Sequence, residues 1–125
     1  MFLGLGIDII EVERIESRIK AELGFRELVF SESEILYCEK KTNKYEHYAA
    51  RFAAKEAFLK ALGIGWTNNI YFNEIEIINN QYGMPELFLL GKTKLHLGNL
   101  AKSTILVSLS HLKSIATAIV IIESK

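Results

Sequence analysis

The chain has 125 residues, half of them apolar, and its fifteen lysines and arginines balance fifteen aspartates and glutamates. This length predicts one domain over residues 1–125, and the neutral charge removes the usual electrostatic reason to expect nucleic-acid or membrane-surface partners. Cys38 is the single cysteine and no apolar run approaches the roughly 20 residues that span a bilayer, so we expect a cytoplasmic protein.

The first predicted element is a strand over residues 2–10, which is rich in leucine and isoleucine. Gly4 and Gly6 leave one face of this strand almost without side chains. Asp8 interrupts the apolar pattern. Because an unpaired buried carboxylate is costly, Asp8 either faces water near an edge or pairs with a cation.

Residues 11–23 predict an amphipathic helix, because apolar side chains recur at helical spacing on one face. These apolar residues are Val12, Ile15, Ile19 and Leu23. Arg14 and Arg18 share another face. Such a pair is most often solvated, but it could dock an acidic partner.

A second helix is predicted from Ser31 to about Glu39. Ser31 followed three residues later by Glu34 is the capping-box pattern that starts a helix. Thr42 and Asn43 then break it, and a longer central helix follows from about Tyr45.

The central helix contains the segment RFAAKEAFLKALGIG at residues 51–65, whose alanines favour helix strongly. One side carries mainly small residues, so that side can approach a neighbouring backbone closely. The small side consists of Ala50, Ala53, Ala54, Ala57 and Ala61, with Phe58 beside them. Gly63 and Gly65 are expected to end the helix, since glycine accepts the left-handed conformation of a C-terminal cap.

A different stripe of the same helix carries charges. Glu56 and Lys60 lie one turn apart, and Arg51 and Lys55 flank them, so we expect three cations around one carboxylate. Taken alone, Glu56 and Lys60 are more often an ordinary surface pair worth about 0.2–0.5 kcal/mol.

The remainder of the chain is mostly β. We predict strands over residues 70–78 and 86–90 joined by a turn at 79–85, a short helix over 92–101, and strands over 105–109 and 115–122. The order of elements is therefore one strand, several helices and then mostly β.

Two features of the sequence bear on phosphate or metal binding. Gly91-Lys92-Thr93 imitates the end of a phosphate-binding P-loop, but the glycine required five positions earlier is replaced by Glu86. The three histidines lack zinc-ligand spacing. His111 differs from the other two because Ser108, Ser110 and His111 could present polar groups together, although a turn histidine with local hydrogen bonds is the alternative.

Four segments agree in order and spacing with one family. GLGIDIIEVER, RFAAKEAFLKALGIG, GMPEL and LVSLSH resemble the holo-acyl-carrier-protein synthases, the small bacterial type of phosphopantetheinyl transferase. The resemblance implies an α+β fold of the 4'-phosphopantetheinyl transferase type, with an N-terminal strand, helices and then mainly antiparallel strands. It implies a homotrimer that binds coenzyme A between subunits and requires magnesium. It also implies transfer of phosphopantetheine to a serine of apo acyl carrier protein in fatty acid biosynthesis, with release of adenosine 3',5'-bisphosphate.

The resemblance also implies roles for individual residues. Asp8 and Glu56 match the metal-binding and catalytic acids, and Lys60 matches the lysine near the reacting phosphate. The helix of Arg14 and Arg18 matches the surface that meets the acidic carrier protein. The residues that look like nucleotide contacts of coenzyme A, besides Lys60, are Arg51, Gly83, Pro85, Ser110 and His111.

Some points stay open in the sequence. Met84 stands where the family often has a basic residue, and Leu112 stands where a polar residue is common. The proton acceptor is either Glu56 or a metal-bound water. The alternative function is a noncatalytic module of the same fold that binds coenzyme A or a carrier protein.

Overall fold

The fold combines five helices and five strands within residues 2–64 and 69–125, which are the residues that this computed structural model describes. The helices are α1 (Val12–Lys20), α2 (Phe25–Val29), α3 (Glu32–Glu39), α4 (Lys44–Leu62) and α5 (Gly91–Leu97). The strands are β1 (Phe2–Glu11), β2 (Ile75–Asn79), β3 (Pro85–Leu89), β4 (Thr104–His111) and β5 (Ile115–Glu123). The predicted α+β fold is therefore confirmed.

Two antiparallel sheets organise the strands. The larger has the order β1-β5-β4, and β2 and β3 form a separate hairpin. Side chains on β5 alternate between a buried face against α4 and a half-exposed face. The register places Asp8 opposite Ala118 and Ser110 opposite Thr117, so β5 lies between the two strands that carry predicted site residues.

Helix α4 is the core of the molecule. It has 19 residues, and buried side chains surround most of its circumference. Gly63 caps it in the left-handed conformation at φ 75°, as predicted. The proposed contribution of Gly65 lies outside the described residues.

The close approach expected of the alanine face is confirmed against β1. A Cβ atom added to Gly6 would collide with the carbonyl oxygen of Ala57, and one added to Gly4 would collide with that of Ala61. Two glycines on the strand and two alanines on the helix thus let the two backbones touch. This contact sets the position of β1 along α4.

The capping box at the start of α3 is also confirmed. The Glu34 backbone N–H donates to Ser31 Oγ, and the Ser31 backbone N–H donates to Glu34 Oε1. The sequence missed α2, however, and the predicted helix over 11–23 was too long. It ends at Lys20, and the chain then turns through Glu22 at φ 53° and Gly24 at φ 90°, which leaves Leu23 87% exposed.

The strand predicted over residues 70–78 was only half correct. A 3-10 turn, Phe72–Glu74, occupies its first part, and β2 begins at Ile75. The Lys55 ammonium group donates to the carbonyl oxygens of Phe72 and Ile75, so the chain bends here to supply two acceptors to a buried charge. Single-sequence periodicity does not report such a distant partner.

No helix in the described ranges is long and apolar enough to cross a bilayer.

The contact between β1 and α4 predicts an asymmetric response to alanine substitution. Gly6→Ala should lower the free energy of unfolding by about 3 kcal/mol, because the colliding atom is a backbone carbonyl that cannot rotate away. Gly63→Ala is the matched control, since it adds the same methyl group in open space and should cost about 1 kcal/mol through backbone strain alone. Urea denaturation at fixed protein concentration measures both, and equal losses would contradict the close-contact explanation.

Candidate functional site

Asp8 and Lys60 meet where β1 runs beside the last turns of α4. Lys60 Nζ lies 3.1 Å from Asp8 Oδ1 and 3.1 Å from the carbonyl oxygen of Ile7. The Asp8 side chain is 15% exposed and that of Lys60 is 56% exposed. Of the two environments that the sequence left open for Asp8, the structure shows pairing with a cation.

Glu56 lies one turn before Lys60 on α4 and is half-buried. It lines the same cavity as Asp8, a space of about 610 Å³. Burial raises the pKa of the Glu56 carboxyl and the neighbouring Asp8 carboxylate raises it further, while Lys60 acts in the opposite direction. Two carboxylates, Asp8 and Glu56, therefore line this cavity, and the Lys60 ammonium group pairs with Asp8 beside it.

The rest of this cavity is apolar with a basic rim. Arg14 and Arg18 of α1 border it, and the Arg18 guanidinium lies 5.7 Å from the centre of the Phe25 ring. The side chains that form the apolar wall come from α2, α4 and the segment before β2. They are Phe25, Leu28, Val29, Phe52, Ile70, Tyr71 and Phe72.

The expectation of three cations around Glu56 is wrong. Lys55 is fully buried on another side of α4, and its Nζ lies 2.8 Å from Glu34 Oε1 and 2.7 Å from the carbonyl oxygen of Phe72. Burial lowers the pKa of Lys55, while the Glu34 carboxylate opposes that shift. Because α4 is packed on nearly every side, successive charged residues find partners in different directions.

Arg51 also points away from Glu56, into a second cluster. Its guanidinium lies 4.3 Å from the centre of the Tyr37 ring, and Nη2 donates to Asn79 Oδ1 at 2.7 Å. Asn79 Nδ2 in turn donates to the carbonyl oxygen of Gly83 at 2.9 Å. Arg51 Nε is buried and makes no hydrogen bond within the described part of the chain.

This second cluster surrounds a smaller cavity of about 170 Å³. Four of the residues predicted to contact a nucleotide line it, namely Arg51, Gly83, Pro85 and His111. Three of the others that line it were not singled out as site residues in the sequence, namely Tyr37, His47 and Asn79. The spacing of His47 and Arg51, one helical turn apart on α4, was the available signal for His47.

His111 is held by α4 rather than by a local turn. Its Nδ1 lies 2.9 Å from Glu46 Oε1, and its ring centre lies 5.1 Å from that of His47. Ser110 is exposed and alternates with His111 along β4, so it projects from the opposite face of the sheet. The expectation that Ser108, Ser110 and His111 present their polar groups together is therefore wrong within one chain.

The structure also explains why Gly91-Lys92-Thr93 is not a phosphate loop. The Glu74 carboxylate accepts hydrogen bonds from the backbone N–H groups of Lys92 and Thr93 and from Thr93 Oγ1. A side-chain anion thus already occupies the start of α5, where a phosphate would have to bind.

The two cavities lie on different sides of α4. Glu56 and Arg51 are five positions apart, which corresponds to about 140° around the helix and about 7.5 Å along it. The two cavities share no lining residue. The predicted site residues are therefore divided into two groups within a single chain.

Comparison with known proteins gives consistent results for almost the whole chain. The 4'-phosphopantetheinyl transferase superfamily matches residues 4–120. A holo-[acyl-carrier-protein] synthase of Cytophaga hutchinsonii is 50% identical, with 97% of each chain covered. A second such synthase, from Syntrophus aciditrophicus, is 45% identical over 98% of this chain and 97% of its own length.

Solved structures match equally completely. The holo-(acyl-carrier-protein) synthase of Bacillus anthracis in complex with CoA (3',5'-ADP) is 35% identical, with a TM-score of 0.82 and coverage of 100% and 99% of the two chains. The holo-[acyl-carrier-protein] synthase of Neisseria meningitidis is 30% identical, with a TM-score of 0.88 and coverage of 99% and 100%.

Proposed function

The chain belongs to the 4'-phosphopantetheinyl transferase superfamily, and from that membership we propose that it is a holo-[acyl-carrier-protein] synthase. It transfers the 4'-phosphopantetheine group of coenzyme A to a serine of apo acyl carrier protein and releases adenosine 3',5'-bisphosphate. Its product supplies fatty acid biosynthesis, and we place the enzyme in the cytoplasm. The observation that carries this proposal is that Asp8 and Glu56 line one cavity, with Lys60 paired to Asp8, in a chain that matches these synthases throughout.

The same three residues argue against the alternative function. A module that only binds coenzyme A or a carrier protein has no need of two neighbouring carboxylates beside an ammonium group. Such a cluster is electrostatically costly without chemistry to perform, because the two carboxylates repel each other.

Asp8 and Glu56 fit a magnesium ion by their donor chemistry. Both are oxygen donors, both line one cavity, and their mutual repulsion would be relieved by a hard cation. No group of three or more acidic, cysteine or histidine side chains in the described residues is arranged to hold a metal ion, but magnesium commonly takes only one or two carboxylates from a protein. When bound, the ion would supply electrostatic stabilisation of charge on the pyrophosphate oxygens.

The transfer step needs a proton acceptor and a cation from the chain itself. Glu56 is the carboxylate of the chain placed to take the proton of the serine hydroxyl, since it lines the cavity in which we place that serine. The serine oxygen forms a bond to the phosphorus that carries pantetheine, and the bond from that phosphorus to the bridging oxygen breaks. Lys60 is exposed enough to turn from Asp8 towards the leaving phosphate and to stabilise its negative charge.

The nucleotide end of coenzyme A is assigned to the second cavity. Arg51 offers a fixed cation there, and the turn at Gly83 and Pro85 closes one side. Met84 and Leu112 are exposed neighbours of this region with no charge to offer a phosphate. Ser110 would contact nucleotide only from the opposite face of the sheet, through a neighbouring subunit.

The division of the site residues between two cavities of one chain favours assembly of several chains into an oligomer. A ligand that contacts Arg51 of one chain and Glu56 of another would join the two groups that a single chain holds on different sides of α4. The outer face of the larger sheet also exposes a band of large apolar side chains, which is typical of a subunit interface. This band, called the outer apolar face below, comprises Leu3, Leu5, Ile7, Ile9, Leu106 and Ile115.

We therefore assign a homotrimer in which this face is buried and each coenzyme A site lies between two subunits. The strands β1, β4 and β5 all contribute side chains to this face.

Docking of the carrier protein is assigned to α1. Arg14 and Arg18 border the cavity that contains Glu56, so an acidic protein held there would present its serine to the reacting group.

Loss of either carboxylate should abolish transfer without unfolding the protein. Asp8→Asn and Glu56→Gln keep side-chain size, so each should reduce turnover about 100-fold or more while the circular dichroism spectrum is retained. The assay incubates enzyme, apo carrier protein, coenzyme A and magnesium, and weighs the carrier by mass spectrometry. Glu32→Gln, an exposed carboxylate on α3, is the control and should leave turnover unchanged.

No mass gain with the wild-type protein would favour the noncatalytic alternative. Near-normal turnover of a variant, with unchanged dependence on magnesium, would contradict the metal assignment of that residue.

Reversing the charge of Arg14 should weaken use of carrier protein but not binding of coenzyme A. Arg14→Glu is expected to raise KM for carrier protein about tenfold at low salt, because it repels an acidic partner, and the defect should shrink in high salt. Lys102→Glu makes the same charge change at an exposed site away from α1 and serves as control. An equal loss of coenzyme A affinity in Arg14→Glu would overturn the docking role.

The trimer should dissociate when a charged side chain is introduced into the outer apolar face. Leu5→Glu and Leu106→Glu each bury a carboxylate in the assigned interface, so both should shift sedimentation towards monomer and lower activity in parallel. Leu95→Glu on α5 is the control, since Leu95 is 82% exposed outside the sheet. Analytical ultracentrifugation across a dilution series, with activity at each concentration, gives the result. A fully active monomer would refute both the trimer and the shared site.

A further inference from the structure

His47 and His111 form a pair that the transfer chemistry does not use. They come from different elements, α4 and β4, and their rings meet edge to face with centres 5.1 Å apart. Both line the cavity assigned to the nucleotide, and each is partly buried. A titratable pair in contact with a site for phosphate can exchange protons when the ligand binds.

Charged groups of both signs surround this pair when no ligand is bound. His111 Nδ1 contacts Glu46, and the ring of Tyr37 lies 5.7 Å from that of His47. The remaining charged groups that face His47 are Arg51 on α4 and Lys41 in the turn before α4. Within the cavity lining itself Arg51 is the fixed cation, and Glu46 beside it supplies one negative charge.

A phosphomonoester carries about −1.5 to −2 charge near neutral pH, which exceeds what one arginine can neutralise. The Arg51 guanidinium also has partners already, because it stacks on Tyr37 and donates to Asn79. Additional positive charge must come from groups that can acquire it. Histidine is the side chain that does so near neutral pH.

We propose that the His47–His111 pair takes up a proton when the phosphate-bearing nucleotide end of coenzyme A binds, so that binding weakens as pH rises above neutrality. This inference rests on the proposed function, since it takes that cavity as the nucleotide site. The two rings share one added proton rather than taking two, because two cations at this separation would repel each other.

The direction in which pH changes the affinity follows from the groups that surround His47 before the nucleotide binds. Burial lowers the pKa of His47, and the proximity of His111, Arg51 and Lys41 lowers it further, while Glu46 opposes these shifts. His47 is therefore neutral before binding. A bound dianion favours the protonated pair, so affinity is greatest at the lower pH and is lost as the proton dissociates.

Calorimetry tests this without measuring activity. The assembled wild-type protein is titrated with adenosine 3',5'-bisphosphate at pH 7.5 in three buffers that differ in ionisation enthalpy, and the dependence of heat on buffer gives the protons taken up. At this pH the phosphates, with a second pKa of about 6, are already ionised, so the protein accounts for the change. We expect uptake on the order of 0.4 proton per bound nucleotide.

Two histidine variants make the test specific. His47→Phe keeps an aromatic ring against Tyr37 but cannot titrate, and it should lose at least half of the proton uptake and flatten the dependence of affinity on pH between 7 and 8.5. His96→Gln removes an exposed histidine on α5 and should behave as wild type. Circular dichroism establishes that both variants are folded.

A measurement on the wild-type protein alone covers the case in which His47→Phe does not fold. Ring-proton resonances followed by NMR against pH should show nucleotide raising the apparent pKa of a coupled histidine pair and leaving the third histidine unchanged. Binding without proton uptake, or full uptake in His47→Phe, would overturn the inference and leave the proposed function intact. Failure of the wild-type protein to bind the nucleotide would refute the nucleotide site itself.

Discussion

The contact between the backbones of β1 and α4 is the constraint on which the rest of the molecule depends. Gly4 and Gly6 on the strand face Ala61 and Ala57 on the helix, and any larger side chain on the strand would separate them. Because the strand lies this close, Asp8 comes within hydrogen-bonding distance of Lys60. The pairing of Asp8 with Lys60 therefore depends on the place where the two elements touch.

The burial of α4 on nearly every side explains why its charged residues point in different directions. A helix with one buried face would have left Arg51, Lys55, Glu56 and Lys60 on one solvated flank. Here Lys55 is sequestered with Glu34 and two carbonyl groups of the turn before β2, which ties α3 and the hairpin to the central helix. Glu34 Oε2 also accepts from the backbone N–H of Ile77, so no charge in this network is left without a partner. The cavity that contains Glu56 has one wall on the segment that Lys55 holds, since Phe72 lines it.

The division of the predicted site residues between two cavities bears on the role of the outer apolar face. A single chain holds the acids on one side of α4 and the arginine with its histidines on another, so neither cavity alone offers what a pyrophosphate substrate requires. Apolar side chains on three adjacent strands offer a surface by which further copies could bring the two groups together. The proposed trimer would make catalysis depend on assembly, and the proposed proton uptake by His47 and His111 would add a dependence on pH to nucleotide binding.

Local sequence patterns were sufficient to predict the elements that are stabilised by contacts between residues close in sequence. The capping box at Ser31 and Glu34, the alanine-rich central helix, the Gly63 cap and the hairpin turn at residues 79–85 all follow from interactions between near neighbours. The family resemblance supplied Asp8, Glu56 and Lys60 as candidates. The tertiary structure alone decided that Lys60 pairs with Asp8 rather than Glu56 and that Lys55 is buried with Glu34. These outcomes depend on partners up to 52 positions away in sequence, as for Lys60 and Asp8, and helical spacing carries no information about such partners.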